Sequence, residues 1–183
     1  MKTFLASLLL LTSQLSIGAH AEESSIVEMP ATQVIAVAVV SGRPADYAVA
    51  FGKLVGYYAQ PNRSFQVVFP QMSISLNERS YAAIGVTGAP RSEAGIEVIS
   101  LPACAFFKQA YVGNYLDISP AIESIVRSAL AQGFAVNRAC GIRILHLNSP
   151  DDTPVEKLSH ELYVPVMRQS PLHSFNGTPS GAR

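Results

Sequence analysis

The 183 residues predict an α+β fold made of one strand–helix–strand–strand unit written twice. Three observations carry that prediction. "MPATQVIAVAVVSG" from Met29 can be laid over "LPACAFFKQAYVGN" from Leu101, with Pro30-Ala31 on Pro102-Ala103 and Gly42 on Gly113. Each stretch leads into a segment of helical period, and each helix into two strands. "MSISLN" (Met72 to Asn77) lies over "RILHLN" (Arg143 to Asn148) at the same spacing. Repeats of this kind set the architecture before any single motif does.

The elements follow in order. Val34 to Val40 is almost wholly apolar and β-branched, as a strand covered on both faces should be. A turn containing Gly42 follows, and then a helix from Ala45 to Gln60 with Tyr47, Phe51, Leu54, Val55 and Tyr58 at helical spacing, stopped by Pro61. Met72 to Leu76 alternates apolar residues with serine, and Tyr81 to Thr87 gives the next strand. In the second copy Phe106 to Val112 is the opening strand and Gly113 its turn, where glycine permits a sharp exit. Ser119 is placed to cap the second helix with Pro120 at its first position. Ile118, Ile122, Ile125, Val126, Ala129 and Leu130 share one helical face, and Gly133 ends it. Ile142 to Leu147 and His160 to Val166 close the unit, joined by a polar loop whose Asp151-Asp152 reads as turn chemistry.

Composition removes several classes of function. Basic and acidic residues balance at 13 each, so nothing marks the chain for nucleic acid or an anionic membrane. Residues 1–21 have the pattern of a cleaved export signal: Lys2, an interrupted apolar stretch from Phe4 to Ile17, then Ala19-His20-Ala21. No other stretch is long and apolar enough to span a membrane. The expected organisation is a signal at 1–21, a folded domain at 28–167 with repeats near 29–88 and 96–167, and a disordered tail at 168–183. The tail contains the sequon Asn176-Gly177-Thr178. The expected location is periplasmic or secreted. There Cys104 and Cys140 could pair, although spacing alone leaves a bridge and two buried thiols equally open. Two isolated thiols do not make a metal site, and neither metal nor cofactor is expected.

"SHELYVPV" (Ser159 to Val166) raises the functional question. Along a strand Leu162, Val164 and Val166 share one face with His160, while Glu161 and Tyr163 share the other. An acid and a phenol side by side belong to a solvated face or to a cavity. His146 reads as a satisfied sheet residue, and His160 points away from the adjacent Glu161, so His160 and Glu161 form no dyad. Tyr57 and Tyr58 read as core.

The duplicated unit resembles the GyrI-like small-molecule-binding fold, which includes the effector-binding domains of AraC-type and MerR-type regulators. The likeness rests on "ISLPACAFFKQAYVGNYLDISPAIESIVRSALAQG" and on the ending "PVEKLSHELYVPV", and with the first copy it spans about Glu28 to Met167. The first copy lacks the aromatic residues that flank Gly113, and a signal stands where regulators carry a DNA-reading domain. The resemblance implies a cleft between the repeats that takes a small apolar or cationic molecule. It makes Glu161 the pocket acid, Tyr163 its neighbour on the wall, and Tyr111 and Tyr115 the aromatic flanks of Gly113. The leading expectation is a binding module and not an enzyme. Rivals are a hydrolase of strained electrophiles using Glu161, a SOUL-like haem or tetrapyrrole binder, and an interaction protein that pairs through a strand edge. The SOUL reading lacks a Met-Thr-x-Pro-Val stretch. No Ser-His-Asp, Cys-His or Gly-x-Ser-x-Gly arrangement favours acyl transfer.

Overall fold

The computed structural model describes residues 25–93 and 95–169. The signal segment, the sequon and the tail from 170 onward lie outside the described residues. Those described form one antiparallel sheet of 9 strands with two helices. The strands are β1 (Ser25–Met29), β2 (Thr32–Val39), β3 (Phe65–Leu76), β4 (Arg79–Gly88), β5 (Glu97–Leu101), β6 (Cys104–Val112), β7 (Phe134–Val136), β8 (Ile142–His146) and β9 (Ser159–Arg168). Helix α1 is Pro44–Tyr58 and helix α2 is Ile118–Ala131.

The order across the sheet is β1-β6-β9-β8-β3-β4-β2-β5, with β7 paired to β9. This order is a palindrome of the repeat: β8 and β3 meet at its centre, and outward from them β9 matches β4, β6 matches β2, and β1 matches β5. Each unit therefore carries a leading strand ahead of its Pro-Ala link, β1 before Pro30-Ala31 and β5 before Pro102-Ala103. That leading strand is exchanged, so β1 pairs with β6 and β5 with β2. The strands of both units form one continuous sheet.

Chain connectivity bends this sheet. β1 joins β2 through Pro30-Ala31, and β5 joins β6 through Pro102-Ala103, yet each pair stands six places apart in strand order. In a flat sheet six places are about 29 Å. Two linking residues reach only about 10 Å. The sheet must curl until its edge strands approach each other. Its inner face accordingly holds a core without any helix: Val34, Ala36, Met72, Ile74, Ala83, Leu101, Phe106 and Leu145 pack together, with Val27 and Met29 of β1 and Ile99 of β5 against them.

Both helices lie on the outer face. In α1, Pro44 starts the helix and Ala50, Leu54 and Tyr57 bury against Ile35, Val37 and Ile84. In α2, Ile118, Ile125 and Ala129 bury against Phe107, Leu162 and Val164. The expected cap at Ser119 is corrected. A 3-10 turn at Tyr115–Asp117 leads directly into α2, and Asn114 caps that turn by accepting from the Leu116 N–H at 3.0 Å. Ser119 thus falls inside the first helical turn. Gly133, at φ +80°, follows the helix C-terminus, and Gly42 turns at φ +69°. Gly113 has φ +145°, and a Cβ there would lie 3.0 Å from the Tyr111 hydroxyl.

Cys104 and Cys140 are joined by a disulfide with Cα atoms 6.4 Å apart. The bridge ties the start of β6 to the 3-10 turn Arg138–Cys140 that precedes β8, and Cys140 is part of the inner core.

Candidate functional site

The β6–β9 register sets Ala110 opposite Glu161 and Lys108 opposite Tyr163, and β9–β8 sets Tyr163 opposite Arg143. Residues directly opposite in a ladder point to the same face. Lys108, Tyr163 and Arg143 therefore form one row across three strands on the inner face, with Glu161 two residues along β9.

The polarity of this row changes with depth. At its outer end Lys108 Nζ lies 2.5 Å from Glu161 Oε1, with the two side chains 31% and 24% exposed. The Tyr163 hydroxyl donates to Glu161 Oε2 at 2.7 Å. Burial pushes the Glu161 carboxyl up, but the hydrogen bonds from Lys108 and Tyr163 outweigh it and hold the group below its ordinary value. Lys108 is raised, chiefly by its hydrogen bond to Glu161, and Tyr163 is raised, chiefly by burial. Both carboxylate oxygens are engaged and the negative charge is already matched. An ion pair this exposed contributes up to about 1 kcal/mol. Glu161 is thus an anion at neutral pH with a cation seated on it, a poor start for a general acid or for capturing a second cation.

Deeper in the row, Arg143 has no exposed surface. Its guanidinium carbon lies 4.6 Å from the centre of the Phe106 ring, and Nη1 contacts Met29 Sδ at 3.8 Å. Nε and Nη2 have no hydrogen-bond partner among the described residues. Burial pulls this group below its ordinary value, though an arginine stays charged in proteins. Burying an unpaired ion costs several kcal/mol even after relaxation. A desolvated cation over an aromatic ring returns about 2 kcal/mol. The remainder is uncompensated by any described group.

Tyr111 and Tyr115 lie elsewhere. Tyr111 stands opposite His160 in the ladder, on the outer face with α2, and its hydroxyl donates to the Asn114 carbonyl at 3.1 Å. Tyr115 meets Tyr47 of α1 edge-on at 6.4 Å. The four expected ligand residues are thus divided by the sheet, Glu161 and Tyr163 inside, Tyr111 and Tyr115 outside. The physical reason is strand parity: Tyr111 is an odd number of residues from Lys108.

The seam between the helices is a second polar locality. Phe51 packs edge-on against His146 at 5.6 Å, Ser73 Oγ lies 2.8 Å from His146 Nε2, and His146 Nδ1 lies 3.1 Å from His160 Nδ1. The Gly113 carbonyl favours a proton on His160, although burial dominates and lowers that ring. The Tyr115 hydroxyl and His160 Nε2 are buried without a hydrogen-bond partner among the described residues. Each of these neutral groups costs about 1–3 kcal/mol, less than an unpaired ion. The unpaired charge itself lies on the inner face and not in the seam. Two surface depressions, of about 400 and 500 Å³, lie elsewhere: one is lined by Lys53, Tyr57, Glu93 and Ile96, the other by Ala38, Val40, Glu78 and Arg79, and neither touches either locality.

The histidines give a pH prediction. Burial, and then His160 beside it, push His146 down to about 4 from 6.5. A folded value below the unfolded one means that the unfolded chain takes up the proton first as pH falls. Stability is then full above about 6.5 and declines between 6.5 and 4 by at most about 3 kcal/mol. Urea titrations at pH 7 and 5 should show this decline, and His146→Gln should flatten it. A wild-type profile level across that range would contradict it.

Comparison with known proteins was made at the level of sequence and of structure. No protein-family model matches the sequence, and no curated protein matches it. Among solved structures, the EcmrR C-terminal domain superposes with a TM-score of 0.71 at 12% identity, covering 80% of this chain and 98% of that one. EcmrR from an EcmrR–DNA complex gives 0.67 at 13% identity, covering 80% of this chain and 58% of that longer one. A hydrolase from Listeria innocua gives 0.55 at 12% identity, covering 80% and 93%. The chain shares the fold of the EcmrR C-terminal domain, and the expected GyrI-like fold holds. Among the described residues no helix is long and apolar enough to cross a membrane, and no group of three or more His, Cys, Asp or Glu is placed to hold a metal ion.

Proposed function

We propose that this chain is an exported small-molecule-binding module that takes an apolar, flat or extended ligand into the interior of its curled sheet, at the end marked by Lys108, Glu161 and Tyr163. The observation that carries the reading is the convergence of polar side chains on one row of an otherwise apolar interior, running from a partly exposed ion pair to a fully buried guanidinium. A few polar groups converging on an apolar wall are the usual chemistry of a ligand site; here the wall is packed, so a guest has to displace part of it. The effector-binding fold supports the same reading. The seating of Lys108 on Glu161 turns the expectation away from a cationic guest.

Export is supported by the signal-like pattern of residues 1–21 and by the disulfide, a bond favoured in oxidising compartments. Mass spectrometry of the protein from a cell-envelope or medium fraction should find the mature chain beginning at Glu22. A cytosolic chain retaining Met1 to Ala21 would contradict export.

Ligand binding is tested by thermal shift of the mature protein against acidic, neutral and basic apolar molecules of matched size. A ligand present at about a hundred times its Kd adds about 2.7 kcal/mol to stability, a shift of several degrees. At least one charge class should give such a shift, reduced in Tyr163→Phe. Absence of a shift with every class at millimolar concentration would contradict the reading.

A further inference from the structure

We propose that Arg143 anchors the acidic group, a carboxylate or sulfonate, of an apolar ligand that reaches the sheet interior by displacing Met29 and its strand β1. The inference rests on the binding reading above and specifies its ligand class.

Three observations converge on it. First, the guanidinium is wholly buried, with a phenyl ring at 4.6 Å and two nitrogens unpartnered among the described residues. Arginine presents its donors as a planar fork that matches a two-oxygen acid, so an apolar acid satisfies the charge and both orphan donors together. Second, the nearest acid on that face is already committed. Glu161 has one oxygen on Lys108 and the other on the Tyr163 hydroxyl. With Lys108 and Arg143 set against Glu161, the row carries a net positive charge, so it repels a basic guest and attracts an acidic one.

Third, what covers Arg143 is suited to movement. Met29 meets it through sulfur, a weak acceptor at 3.8 Å, on a flexible unbranched side chain. Among the described residues β1 is a five-residue edge strand paired with β6 alone, and three of its five residues are exposed. A strand held on one side by a short ladder opens more readily than any central strand. Lifting it would uncover the wall around Phe106, which stands opposite Val27, together with the Arg143 guanidinium that Met29 touches.

The test uses mature protein at pH 7 with three probes of equal chain length: decanoate, decanol and decylamine, titrated by calorimetry. Decanoate should bind at least about tenfold more tightly than decanol, the difference that a charge-assisted hydrogen bond provides, and decylamine should bind most weakly. Arg143→Met, which exchanges the buried ion for an apolar chain of similar length, should fold at least as stably as the wild type. It should lose the preference for decanoate while keeping its affinity for decanol. Met29→Ala should bind decanoate more tightly by removing the cover. Equal affinities of the wild type for decanoate and decanol, a comparison that needs no variant, would overturn the proposal. So would unchanged decanoate binding in Arg143→Met. If decanol or decylamine binds best, the binding module stands and the acid anchor falls. If none of the three binds, and the wider panel above also fails, the binding reading itself falls.

Discussion

Replacing Cys104 and Cys140 together by alanine is expected to lower the stability of the mature protein by about 4 kcal/mol. The bridge closes a loop with a sequence separation of 36, and the entropy withheld from an unfolded chain by a loop of that size gives this magnitude. The position adds a structural reason. The disulfide fixes the first residue of β6 to the turn before β8, and these are the strands that carry Lys108 and Arg143. Urea denaturation should show the midpoint falling steeply in the double variant, and wild-type protein in dithiothreitol should follow it. A loss below about 1 kcal/mol would mean that the curled sheet is held by packing alone.

The second large effect is expected at Phe106. Its ring has no exposed surface, lies beneath the Arg143 guanidinium and meets Tyr163 edge-on at 6.0 Å. Phe106→Ala should cost about 3–5 kcal/mol, from lost burial plus the cavity left in a core that two-residue links keep from collapsing. The partners are not independent. Once the ring is gone, Arg143 loses its cation–π contact and keeps the weak one to Met29 Sδ, so Arg143→Met should be more stabilising in the Phe106→Ala background than in the wild type. A double-mutant cycle isolates that coupling, expected at about 1–2 kcal/mol. Additivity within about 0.3 kcal/mol would show that ring and guanidinium are mere neighbours.

The parts of this fold that depend on local pattern were legible in the sequence. The duplication, α2, and the two faces of β9 follow from periodicity, and Glu161 and Tyr163 do share a face while His160 turns the other way. The exchange of β1 and β5 was not legible. "SIVEM" and "EVISL" are five-residue strands whose partners belong to the other unit, and nothing local names a distant partner. The separation of Tyr111 from Glu161 escaped for a related reason. It depends on the register that sets Ala110 opposite Glu161, and a slip of one residue would have put Tyr111 on the inner face.

Arg143 was missed although its signal was present. Laying "RILHLN" over "MSISLN" puts Arg143 on Met72, Leu145 on Ile74 and Leu147 on Leu76. Met72 and Ile74 are inner-core positions, as is Leu145. A cation at a position where the sister repeat has a buried methionine is a charge in the core, a pattern that is costly and so points to a partner or a role. Glu161 is the more conspicuous charge in the pattern, yet Lys108 already matches it.

The central claim, that the interior of the curled sheet and not the seam between the helices receives the ligand, is tested most directly by nuclear magnetic resonance. The Nε–H of a buried arginine is shielded from exchange and resolved in an ordinary 1H–15N spectrum of the mature protein. On addition of decanoate the Arg143 Nε signal should move the most, together with the backbone amides of Met29, Phe106 and Tyr163, while those of Phe51, His146 and Tyr115 stay in place. Shifts confined to Phe51, His146 and Tyr115, with the Arg143 signal unmoved, would contradict it.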